Sequence, residues 1–143
     1  METLTQADLD LLRRIVGRMI PASAGYGVPG ADDPAIFGAI EALLRERAVP
    51  MGALLLGVRT GDLAEPSASA AQALFQRMRE ADANAFLSLT LAVAQSYYRD
   101  DRVMLSLDME PRPPFPKGYE LAEGDWSLLE PVKRRSKLWR SAS

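Results

Sequence analysis

The chain has 143 residues, 48% of them hydrophobic and 25% charged, with a formal net charge of −2, values that fit one soluble domain able to bury most of the surface its unfolded chain exposes. It contains no cysteine and no histidine, which removes disulfides, c-type haem attachment, thiolate nucleophiles, the usual zinc sites and every histidine-based triad. Carboxylates, Lys, Tyr, Ser and Thr remain for any chemistry, and no EF-hand loop is present to hold calcium.

The first stretch, METLTQADLDLLRRIVGRMIP, reads as a folded helix and not as a targeting signal. Glu2, Asp8 and Asp10 precede the arginines, Arg18 interrupts the apolar run, and no small-residue cleavage site follows. Thr5 with Asp8 three residues on resembles a capping box, with Asp in place of the usual Glu or Gln. Leu9, Leu12, Val16 and Met19, flanked by Leu11, Ile15 and Ile20, give a broad buried face, and Pro21 stops the helix. The segment PASAGYGVPGADDP is rich enough in Gly and Pro to be a loop, and its spacing matches neither a P-loop nor a dinucleotide-binding fingerprint.

Asp33 followed by Pro34 is an N-cap with Pro at the first helical position, so a second helix is expected from Pro34 to about Arg47, with Ile36, Phe37, Ile40, Leu43 and Leu44 inside. Met51 to Thr60 reads as a short apolar helix carrying Leu54, Leu55 and Val58, with a buried strand as the competing assignment because of Gly52 and Gly57. Its apolar core, Met51 to Val58, is far shorter than the roughly 18–20 residues of a membrane span. Ser67 caps a helix from about Ala68 to Glu80 with Leu74, Phe75 and Met78 facing the core.

After a break at Ala81 and Asp82 comes the stretch around which the rest is expected to pack, Asp82 to Asp101. Phe86, Leu89, Val93 and Tyr97 fall at helical spacing, and Leu87, Leu91 and Tyr98 widen the stripe until the helix is apolar on most sides and needs covering on most sides. With Asp82 as N-cap it makes a rod of about 27 Å. The fold class expected is therefore all-α, a small helical bundle around one central helix over residues 1–108, followed by an extended C-terminal arm with a basic tail over 109–143.

That arm holds half of the chain's 10 prolines, favours polyproline II and is expected to lie along a surface, its own or another protein's. Phe115, Tyr119, Trp126 and Trp139 are spaced along it as anchors, and large aromatics and Arg are the residue types that carry interfaces. Charge divides with the chain. All 19 acidic residues lie at or before Glu130, giving residues 1–130 a net −7, whereas the last 13 residues carry +5. Lys133, Arg134 and Arg135 head this basic block, which suits an interaction tail as well as a solvated terminus.

The order of several short segments is similar to that of the gluconate 2-dehydrogenase subunit 3 family: MIPAS at 19–23 closing the first helix, VPGADDPAIF at 28–37, SYYRDDRV at 96–103 and PRPPFPKGY at 111–119. The resemblance implies a small helical accessory subunit that accompanies a large flavin-dependent dehydrogenase of the glucose–methanol–choline oxidoreductase type, acting on sugars or alcohols. It implies no catalytic residue and no cofactor in this chain, the FAD belonging to the large partner. Many members carry a twin-arginine export signal; none is visible here, so the residues themselves suggest a cytoplasmic location, or a periplasmic one if a signal was removed or is supplied by a partner. The tail from Leu121 onward matches nothing in the family.

Two other classes are worth testing against the residues. The one cluster that could be nominated for catalysis is Tyr97 and Tyr98 beside Asp100 and Asp101, which a helix-terminal turn explains as well. A stand-alone adaptor or nucleic-acid-binding module would use the basic tail, with Lys and Arg on phosphates and Trp stacking on bases. The −7 carried by residues 1–130 opposes nucleic acid.

Overall fold

In the computed structural model, residues 4–58, 63, 67–111 and 124–136 are described. They form seven α-helices and no β-strand: α1 (Gln6–Met19), α2 (Pro34–Glu46), α3 (Met51–Leu56), α4 (Ala68–Ala81), α5 (Ala83–Tyr97), α6 (Asp101–Ser106) and α7 (Glu130–Lys133), the last preceded by a 3-10 turn over Trp126–Leu129. None is long and apolar enough to cross a membrane.

The local chemistry sets the boundaries. Thr5 Oγ1 accepts from the Asp8 N–H at 3.2 Å while the Thr5 N–H donates to Asp8 Oδ2 at 2.9 Å, the reciprocal pair that satisfies two orphan donors at the start of α1. Asp33 accepts from the Ala35 N–H, with Pro34 opening α2. Ser67 caps α4 through the Ala70 N–H. Asp82 both ends α4 and begins α5: its N–H donates to the Met78 carbonyl at 3.1 Å and its carboxylate accepts from the Ala85 N–H at 2.9 Å. The helix assignment holds over Met51–Leu56, where Met51, Leu54 and Leu55 are buried. Thr60, the expected end of that stretch, lies outside the described residues.

α5 is central. It packs against α2, α4 and α3, while α1 packs on α3. Leu89, Val93 and Tyr97 meet Leu12, Ile15, Ile36, Ile40, Leu54, Leu74 and Met78 in one core, where each fully covered Leu or Ile contributes about 1.5–3 kcal/mol of transfer free energy.

Two expectations about α5 are corrected. The helix ends at Tyr97 rather than running to Asp101, because the Asp100 carboxylate accepts from the Arg102 N–H at 3.0 Å and starts α6. Its covering is also one-sided: Leu87, Leu91 and Tyr98 are 56%, 47% and 53% exposed. Among the described residues, the neighbouring helices cover the side that carries Ala85, Leu89, Ala92, Val93, Ser96 and Tyr97.

The arm differs from an extended segment where it is described. Trp126–Lys133 is helical because Asp125 accepts from the Ser127 N–H at 3.0 Å and Pro131 sits in the first turn of α7, where a missing N–H costs nothing. Residues 124–136 are exposed throughout. Before them α6 closes with the Met109 N–H on the Met104 carbonyl and Asp108 at φ 56°.

Candidate interaction site

Three of the segments singled out in the sequence meet at one end of the bundle. The loop after α1 folds back on itself through a pair of backbone bonds between Ser23 and Val28 at 3.0 and 3.1 Å, with Gly27 at φ 64°, a conformation that favours glycine. The Ala31 N–H donates to the Ile20 carbonyl at 2.8 Å, and a methyl group on Gly30 would lie 2.8 Å from the Ala22 nitrogen, so only glycine allows this approach. Arg13 Nε donates to the Asp32 carbonyl at 2.7 Å, holding the loop against α1.

On its other side the loop is held by the α5–α6 junction. Arg102 donates through Nη1 and Nη2 to both oxygens of Asp33 at 3.1 and 2.9 Å, a bidentate pair, and through Nε and Nη2 to Asp100 at 2.9 and 2.8 Å. One guanidinium thus bridges the caps of α2 and α6. The hydrogen bond from Arg102 holds the Asp33 carboxyl down at about 2, against the opposing effect of burial. The same arginine lowers the Asp100 carboxyl, and the two carboxylates together raise the guanidinium. Tyr97 Oη donates to the Pro29 carbonyl at 3.1 Å, and burial, followed by the neighbouring Tyr98 and Asp100, pushes its phenol up.

These bonds account for most of the cluster nominated from the sequence. Tyr97 fastens the loop, Tyr98 packs its ring edge-on to Tyr97 with centroids 5.3 Å apart, and Asp100 is engaged by Arg102. Asp101 lies exposed in the first turn of α6. Among the described residues no group of three or more acidic side chains is placed to hold a metal ion.

The expected interface residues fare unequally. Trp126 is 76% exposed on the 3-10 turn, with Leu128, Leu129 and Val132 also open to solvent. Lys133 pairs with Glu130 at 2.8 Å, and Arg134 and Arg135 follow it, exposed. Phe115, Tyr119 and Trp139 lie outside the described residues. What the residues alone did not single out is the outer side of α5; helical periodicity marks its leucines as apolar but carries no information on which of them a neighbour covers. An open groove of about 430 Å³ runs beside it between α2 and α5, lined by Ala35, Ala39, Ala42, Gln95 and Arg99 among others.

Comparison of the chain with protein-family models, with curated proteins and with solved structures returns no match. The family resemblance therefore rests on its short segments alone, of which MIPAS, VPGADDPAIF and SYYRDDRV are the three that come together at the Arg102 end of the bundle.

Proposed function

We propose that this chain is a non-catalytic accessory subunit that binds and stabilises a larger FAD-dependent sugar or alcohol dehydrogenase of the glucose–methanol–choline oxidoreductase type. The observation that carries the partner-binding part is the exposed C-terminal segment, where Trp126, Leu128, Leu129 and Val132 stand in solvent directly before Lys133, Arg134 and Arg135. A Trp beside a basic run is the composition of an interface anchor, with the aromatic supplying affinity and the charges supplying association rate and specificity against an acidic surface. Phe115, Tyr119 and Trp139 belong to the same proposed surface. The choice of a flavoprotein comes from the order of the family-like segments; the FAD is the partner's, and this chain binds none.

The test is co-expression of the full chain with its genomic neighbours, followed by purification and an absorbance spectrum of whatever co-elutes. A stable complex with a large subunit showing flavin absorbance is the expected result, and truncation after Leu121 weakens it. A colourless chain that elutes alone overturns the proposal. The exposed Trp and basic run also suit a nucleic-acid-binding tail, and a salt titration against single-stranded DNA separates the two, since phosphate binding collapses steeply with salt.

A further inference from the structure

The 3-10 turn and α7 join two chemistries. Trp126, Leu128, Leu129 and Val132 all stand in solvent, and spacings of three and four residues gather them on one side of the helical stretch. The charge that follows them is unbalanced. Residues 131–143 hold Lys133, Arg134, Arg135, Lys137 and Arg140 and no acidic residue. Lys133 pairs with Glu130, whereas Arg134 and Arg135 make no ion pair among the described residues. Lys137, Trp139 and Arg140 continue the same composition outside them.

We propose that this segment attaches the chain to the surface of an anionic lipid bilayer, with Trp126 and the three aliphatic side chains at the headgroup boundary and the basic run on the lipid phosphates. The contact is with the surface, since no helix among the described residues is long and apolar enough to cross. A nucleic acid would neutralise the cations and stack on Trp126 but would leave Leu128, Leu129 and Val132 in water. The interfacial layer of a bilayer accepts all of these groups at once, and tryptophan is enriched there because its ring is amphipathic. An apolar cluster or a basic run alone holds weakly, whereas the two together supply the pair of signals that stable anchoring takes. The −7 of residues 1–130 opposes the approach, but charges more than about 8 Å from the lipid phosphates are largely screened at physiological salt, and cations in contact with them are screened less. Attachment belongs to the chain while this segment is uncovered, and it stands independently of any flavoprotein partner.

The chain's 2 tryptophans, Trp126 and Trp139, both lie in this part of the sequence, so intrinsic fluorescence reports on it alone. The full chain is titrated with vesicles of phosphatidylcholine, pure or with about one-third phosphatidylglycerol, and pelleted with them in parallel. A blue-shifted emission and a partition at least about ten-fold higher onto the anionic vesicles are expected. The double substitution Arg134→Gln with Arg135→Gln lowers that partition at least about ten-fold, and Trp126→Ser with Leu129→Ser lowers it as well, as read by pelleting. All four positions are exposed, and unchanged helical circular dichroism verifies that each variant folds. Absence of partition, equal partition onto both kinds of vesicle, or anionic binding that survives either pair of substitutions overturns the proposal. So does a fluorescence change with single-stranded DNA and none with vesicles. None of these outcomes decides whether a large subunit co-elutes, so the two proposals fail separately.

Discussion

Leu89 and Leu91 stand two residues apart on α5, one wholly covered by neighbouring helices and the other 47% exposed. Between them lies the difference between the two sides of the central helix. The inner side meets α2, α3 and α4 in the core, and the outer side has the same residue types with solvent in front of them. Composition along a helix decides that a side can be buried; the placement of other helices decides that it is. The polar end of the bundle teaches the complement, since Arg102 gains its importance from two carboxylates that converge on it and not from anything in its local sequence.

Leu89→Ala breaks the comparison with the largest effect. It leaves a cavity under α5 and costs about 3 kcal/mol in urea unfolding, whereas Leu91→Ala, measured in the same way at low protein concentration, changes stability by less than about 0.5 kcal/mol. Equal losses at the two positions would mean that the outer side is covered within a single chain.

Arg102→Gln gives a smaller loss, read as a fall of a few degrees in Tm at neutral pH, and it also removes an acid sensitivity. Asp33 is held at about 2 in the folded chain, below the usual value near 3.9 in an unfolded one. The unfolded chain therefore takes up the proton first as pH falls. The stabilisation is complete above the unfolded value and is lost as pH drops through the folded one, and Asp100 acts in the same direction. Tm measured between about pH 2 and 6 should fall more steeply for the parent chain than for Arg102→Gln. Parallel curves would show that the bridge between the caps of α2 and α6 contributes nothing.

Much of the fold is legible in the residues because it is locally determined. Thr5, Asp33, Ser67 and Asp82 announce helix starts, and the structure uses each of them as a cap. The break after Tyr97 was hidden because Asp100 lies inside a run that reads as a helix exit, and only its bond to the Arg102 N–H reveals a new start. The helical turn at Trp126 was masked by the prolines around it, although Asp125 supplies an ordinary cap. Of the candidate surface, the exposed Trp126 and the basic run were legible as residue types, whereas the outer side of α5 was not, since periodicity cannot report an absent neighbour. The bond between Arg102 and Asp33 joins positions 69 residues apart, and no local pattern encodes it.

That separation also bears on the order in which the chain folds. α4 and α5 are joined by Asp82 alone, so the contacts that seat one helix on the other close short loops, while the Arg102 bridge must close one far longer. Loop-closure entropy favours the local pair first. We expect α4 and α5 to form a helical hairpin in the folding transition state and the bridge to form after it, with φ-values at Leu74 and Met78 well above that at Arg102; the reverse order would refute this. Because it forms after the hairpin, the bridge would act chiefly on unfolding: its loss lets the chain open faster while leaving the speed of assembly nearly unchanged.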